Sequence, residues 1–156
     1  MELWHGSSTR LEGFDEQQCR RLGIHCGSRE QARMRCGKGG HLHLIEAPIE
    51  RQRRCRDSGG NWSERIARAR RDGCDAIIYL NRYEGLPTER IVALAGSGQL
   101  SDLDSLTDAA FRKLVPEAQD SLILLCDPSL VRIIEIEGPT RRISGMDDGP
   151  ASAPSP

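Results

Sequence analysis

Near its beginning the chain places His5, Gly6 and Ser7 in succession. An imidazole and a hydroxyl are directional hydrogen-bonding groups, and a glycine directly after a strand histidine lets a ligand come close to the backbone. Such a cluster suits recognition of a polar small molecule, and the end of a capped strand explains it equally well. Further on, Asn81, Tyr83 and Glu84 share the stretch NRYEG, and Gln119 and Asp120 precede the apolar run SLILL. A carboxylate at the mouth of a buried strand is held rigidly, and precise placement is what a catalytic group needs. Glu84 is longer and lies on a turn, so it is expected to reach further than Asp120 and to be less fixed; a solvated turn charge is the bland account of it. Asp75 reads as a structural carboxylate that accepts backbone N–H groups of a turn.

Cys19, His25, Cys26, Cys36, His41, His43 and Cys55 all fall in the N-terminal half, and thiolate and imidazole are zinc ligands. No C-x2-C or H-x3-H pair occurs, however, and the adjacent His25 and Cys26 project to opposite sides of a strand. No metal site is expected; buried thiols and strand histidines account for the set.

The elements that must position these groups follow from local pattern. Residues 2–5 read as a short strand running into Gly6, and residues 23–28 as a second strand, with the segment between them turn-like and polar. Ser28 caps a short helical stretch that GKGG ends. HLHLIEAPI alternates, placing Leu42, Leu44 and Glu46 on one face and His41, His43 and Ile45 on the other, with Pro48 arguing for an edge position. After a basic loop, Asn61 and Glu64 have capping-box spacing. Trp62, Ile66 and Ala69 continue as a helix that Gly73 stops. CDAIIYL reads as a central buried strand. Ser101 and Thr107 are natural caps of one or two short helices, and two further strands flank the turn Asp127-Pro128-Ser129. Five or six strands with three or four short helices, several strands lacking a helix between them, favour α+β over a doubly wound parallel sheet.

Composition narrows the class. Lys+Arg 22 against Asp+Glu 23 gives a net charge of -1, which supplies no general attraction to nucleic acid or an anionic membrane. No stretch is apolar for long enough to span a bilayer, and the N-terminus lacks a signal-peptide pattern. Six cysteines in that context argue for reduced thiols and a cytoplasmic protein, in its own cell or in a host cell after delivery. Two basic runs, Arg51 to Arg56 and Arg65 to Arg71, read first as solvated faces.

LWHGS, GIHCGSREQA, GCDAIIYLNRYEG and QDSLILLCDPSLVRII, in that order, resemble the successive segments of the ADP-ribosyltransferase fold, and in particular its small bacterial and phage members. The resemblance spans residues 2 to 136 and implies an α+β domain over residues 1–142, with a mixed or antiparallel split sheet and short helices, followed by a disordered tail over 143–156. It implies that His5 bonds a ribose hydroxyl of NAD and that the Gly6 backbone clasps the nicotinamide carboxamide. Ser7, Gly23, His25 and Ser28 would line the same cleft, and Arg29 would meet the pyrophosphate. Asp120 stands where the family carries its catalytic acid, with Glu84 as the alternative at the rim. The family often stacks an aromatic on the nicotinamide from the helix after the second strand. Residues 28 to 46 contain none, so Tyr83, Trp4 or His43 would substitute.

The implied activity is NAD-dependent transfer of ADP-ribose onto a protein, a glycosyltransferase-class reaction with NAD as co-substrate, in a toxin, effector or anti-defence factor. The rival expectation is a catalytically lapsed member that uses its arginine runs to hold an acidic partner; an aspartate where the family has glutamate speaks for it.

Overall fold

The computed structural model describes residues 3–57, 62–97 and 100–139. Along them run β1 (Leu3–Ser7), α1 (Glu16–Leu22), β2 (Ile24–Cys26), α2 (Arg29–Cys36), β3 (His41–Glu46), β4 (Gln52–Arg54), α3 (Trp62–Arg71), β5 (Ala76–Leu80), α4 (Thr88–Gly96), α5 (Leu100–Ser105), α6 (Asp108–Leu114), β6 (Asp120–Leu124) and β7 (Arg132–Glu137). The strands form two sheets, ordered β1-β3-β7 and β2-β6-β5-β4. Every pairing is antiparallel except β4 with β5. The fold is therefore α+β, with one purely antiparallel and one mixed sheet.

The two sheets touch at one point along their edges. Trp4 and Gly27 exchange both backbone hydrogen bonds, at 2.9 and 3.0 Å, forming an isolated bridge between β1 and the end of β2. Beyond it β2 turns at once into α2, because Ser28 caps that helix and Gln31 completes a capping box. Helix α2 lies against the first sheet: Ala32 packs with Trp4 and Leu42, with Cys36 and Leu44 beside them. Between the sheets Leu3 and Ile45 meet Ile24, Cys26, Ala76, Leu122 and Leu124. On the far side of the second sheet, α3 covers Ile77, Tyr79, Ile123 and Leu125 with Ile66 and Ala69. Helices α5 and α6 bury Leu80 with Leu103, Phe111 and Val115.

Local pattern reads these elements with identifiable exceptions. The alternation in β3 is as expected, Leu42 and Leu44 packing toward α2 and Ile45 toward the other sheet. Pro48 nevertheless does not mark an edge strand, since β3 lies between β1 and β7 and the proline falls after its end. The segment expected to be turn-like contains α1, which Asp15 caps through Gln18 N–H and Gly23 ends at φ 67. Part of the basic loop is β4, whose parallel pairing to β5 is nonlocal and leaves no periodic signal in three residues. Ser101 falls inside α5 instead of capping it. The expected capping box at Asn61 and the tail beyond residue 139 lie outside the described residues. Asp75 accepts the Glu50 and Arg51 N–H groups at 3.0 and 2.9 Å, and these bonds hold its carboxyl below the ordinary range.

Candidate functional site

His5 sits on β1, one residue past the bridge between the sheets. Its Nδ1 donates to the His25 carbonyl at 2.8 Å, which fixes the ring and leaves Nε2 as the acceptor of a neutral imidazole. Burial lowers its pKa, with the neighbouring charges of His43 and Arg35 acting the same way, so the neutral form prevails near pH 7. Phe14 meets the ring edge-on, with centroids 5.3 Å apart. His43, opposite His5 in the β1–β3 ladder, accepts the Leu11 N–H on Nε2 at 3.0 Å and so ties down the segment that carries Phe14.

Gly6 is shaped by two demands. A Cβ there would overlap the carbonyl of Ala32, so close packing of α2 requires glycine. Its backbone meets the second demand. In an antiparallel ladder alternate residues turn their N–H and C=O to the same side. Trp4 turns both toward Gly27, so Gly6, two residues on, presents its own pair to that side, where no backbone bond to β2 follows the bridge.

A polar cluster joins α2, the turn after β5 and the start of β6 at one end of the second sheet. Glu84 Oε2 receives Arg35 Nε at 2.7 Å and Asn81 Nδ2 at 2.5 Å, while the Glu84 N–H donates to Asn81 Oδ1 at 3.2 Å. Ser121 receives Arg35 Nη2 at 3.0 Å and Asn81 Nδ2 at 3.1 Å and donates to Gln31 Oε1 at 3.0 Å. Gln31 also reaches the Gln119 carbonyl and receives the Ser28 N–H. Burial lowers the pKa of His25, the Arg35 charge lowers it further, and the Glu84 charge opposes both.

The turn that carries Glu84 is not loose. Arg82 is buried, donates to the Leu103 and Leu106 carbonyls at 2.6 Å each, and lies over Phe111. The Asn81 N–H donates to the Gln119 carbonyl, and Gly85, at φ 86, sits directly on Gln31. Glu84 accepts two side-chain bonds against three at Asp120 and is the more exposed of the two, 36% against 20%. The Glu84 carboxylate is positioned by two side chains on a turn riveted to three neighbours.

Asp120 occupies a different environment. Successive strand residues point to opposite faces, and β6 turns Ser121 toward α2 while Asp120 pairs with Leu80 on the α6 side. Arg54 grips it through two bonds, at 2.6 and 3.2 Å, and Arg112 adds a third at 2.6 Å. Burial would raise its carboxyl, but the two guanidinium groups override this and hold it below the ordinary range.

The remaining expected residues are dispersed. Tyr83 donates to Asp104 at 2.6 Å and meets Phe111 edge-on, away from His5; burial and then that carboxylate push its hydroxyl up to about 12. Trp4 is buried under α2, and both nitrogens of the third candidate aromatic, His43, are engaged. Arg29 spends its fork on Glu137 at 2.8 and 2.5 Å. The Ser28 hydroxyl accepts the Gln31 N–H as the α2 cap, and that of Ser7 accepts the Thr9 N–H. Gly23 ends α1 where a Cβ would collide with Ile123. The structure thus joins Glu84 to Asn81 and adds Arg35, Ser121 and Gln31 in one network, while His5 bonds the His25 carbonyl and Gly6 lies against α2. Two signals pointed to the additions: Ser121 is the one uncharged polar residue of β6, and Gln31 and Arg35 share a helix face at i, i+4 spacing.

The arginine runs are largely occupied within the molecule. Arg53 pairs with Asp72 and Arg54 with Asp120, Arg56 donates to three carbonyls at the end of α5, and Arg70 to those of Leu125 and Cys19. Among the described residues no group of three His, Cys, Asp or Glu side chains is disposed to hold a metal, and no helix is long and apolar enough to cross a membrane. A cavity of about 1130 Å³, lined by Arg33, Met34, Leu86 and Pro87 among others, lies between α2 and residues 85–88. Comparison of the chain with protein-family models, curated proteins and solved structures finds no match.

Proposed function

We propose that the chain is an NAD-dependent ADP-ribosyltransferase that modifies a protein, with His5, Gly6 and Glu84 as the working residues. The observations that support this are the Glu84 carboxylate pinned by Arg35 and Asn81, the His5 ring fixed on the His25 carbonyl, and the outward-turned backbone of Gly6, which lies against the helix that carries Arg35. NAD supplies ADP-ribose when its bond to nicotinamide breaks, which leaves positive charge on the ribose. His5 Nε2 accepts a hydrogen bond from a ribose hydroxyl, a role suited to a neutral ring whose other nitrogen is already engaged. Gly6 N–H and C=O match the acceptor and donor of a carboxamide. Glu84 places negative charge against the cationic ribose and takes the proton that the acceptor nucleophile loses on bonding to it. Asp120, neutralised by two arginines on the other face of β6, is assigned to stability.

The binding-module alternative gains nothing from the arginine runs, since several of those arginines serve the fold. Incubation with labelled NAD and a cell lysate, followed by mass spectrometry, tests the proposal. Modified proteins and released nicotinamide are expected from wild type and neither from His5→Ala. A wild-type chain that shows no NAD-dependent thermal stabilisation and releases no nicotinamide would sink it.

A further inference from the structure

Arg35 stands at the centre of the polar cluster, and its guanidinium is incompletely used. Nε donates to Glu84 and Nη2 to Ser121, while Nη1 is buried and has no partner among the described residues. Unpaired buried donors are rare in folded proteins, and each calls for a specific explanation. Two other buried arginines show what an ordinary exception looks like. In Arg70 and Arg82 the orphan is the inner Nε, and both terminal nitrogens donate to carbonyls. Such an inner N–H is the price of using the outer two. In Arg35 the pattern is reversed: the inner nitrogen is engaged and a terminal one, which has the reach to meet something else, is left over. The side chain is only 16% exposed, so water offers that nitrogen little. Its helix runs directly against Gly6, where a Cβ would meet Ala32 and Cys36, and its charge lowers the pKa of both His5 and His25.

We propose that Arg35 is a binding and positioning residue of the NAD site: two of its nitrogens hold Glu84 and Ser121, and Nη1 is kept for an oxygen acceptor of the bound dinucleotide. The inference rests on the function proposed above. The planar fork is essential to it, since only a guanidinium presents three donor nitrogens in one plane. The adjacent Glu84 carboxylate offsets the positive charge, so the guanidinium does not oppose a cationic ribose.

The two roles separate in the kinetics. Loss of the Nη1 contact weakens binding, and loss of the grip on Glu84 slows chemistry. Wild type, Arg35→Lys, Arg35→Gln and Arg35→Ala are compared by calorimetry with NAD and by nicotinamide release, with circular dichroism to establish that each variant is folded. Arg35→Gln is expected to bind NAD about tenfold more weakly and to lose about a hundredfold in kcat, the order found when a reacting group is misplaced. Arg35→Lys keeps the charge but not the fork; its Kd is expected within about threefold of wild type and its kcat about tenfold lower. Ethylguanidinium added to Arg35→Ala is expected to restore part of the rate. If folded variants differ from wild type only in melting temperature, with Kd, kcat and KM unchanged, Arg35 is merely structural and the inference is overturned. A wild-type chain that neither binds NAD nor releases nicotinamide overturns the proposed function and this inference together, an outcome distinct from active wild type with equally active variants.

Discussion

Two carboxylates are candidates for the acid of the proposed reaction, and their surroundings differ. Glu84 is gripped by Arg35 and Asn81 and remains 36% exposed; Asp120 is 20% exposed and closed off by Arg54 and Arg112. A carboxylate stabilises a cation best when it is rigid and its charge is not already shared between two guanidinium groups. Glu84→Gln is therefore expected to cost about a hundredfold or more in single-turnover transfer rate, with NAD affinity little changed, the order seen on removal of a positioned electrostatic stabiliser. Asp120→Asn is expected to leave that rate within a few-fold of wild type and to lower the melting temperature, because Arg54 and Arg112 lose their shared partner. The reverse outcome, a crippled Asp120→Asn and an active Glu84→Gln, would return the acid to the mouth of β6.

At the scale of elements the decisive contact is α2 against β1. The helix starts because Ser28 and Gln31 cap it, and it ends at Gly37, φ 68. Its closeness to the sheet depends on Gly6, where any side chain would strike the Ala32 carbonyl. Backbone cannot retreat as a flexible side chain can, so Gly6→Ala is expected to destabilise the protein by about 1–3 kcal/mol, as overpacking does. It should also impair NAD binding, because the displaced helix carries Arg35. Urea unfolding of Gly6→Ala and wild type, read beside calorimetry with NAD, checks both effects. An unchanged unfolding midpoint would show that α2 yields without cost and that the glycine serves the ligand alone.

Over the whole molecule, three histidines tie the two sheets and the segment before α1 into one pH-sensitive unit. His5, His25 and His43 all have lowered pKa values, burial being the largest cause in each. In the unfolded chain they take up protons around the ordinary value of 6.5; in the folded chain they resist. The unfolded state therefore binds more protons in the window just below that value, and stability falls as pH drops through it. His43 gives the loss a place: its Nε2 accepts the Leu11 N–H only while unprotonated, so acid releases the segment that sets Phe14 against His5. The urea midpoint is expected to be constant from pH 8 to 7 and to decline from pH 6.5 to 5.5. Lowered carboxyls such as Asp120 and Glu137 act at lower pH and do not contribute there. A midpoint unchanged down to pH 5.5 would refute the coupling.

Local chemistry made much of this protein legible. Ser28 before REQA announced α2, the leucine–histidine alternation gave the two faces of β3, and the apolar run CDAIIYL gave β5, because capping and period-2 burial are properties of a few consecutive residues. His5, Gly6 and Glu84 stood out by type alone. Sequence did not say what surrounds each carboxylate, and it ranked Asp120 above Glu84 on strand position alone. The surroundings depend on partners distant in the chain: Arg54 lies 66 residues from Asp120, and Arg35 lies 49 residues from Glu84. A carboxylate's charge is set by what surrounds it, and only the packing of α2, β6 and the turn at Asn81 into one cluster gives the two acids their different environments.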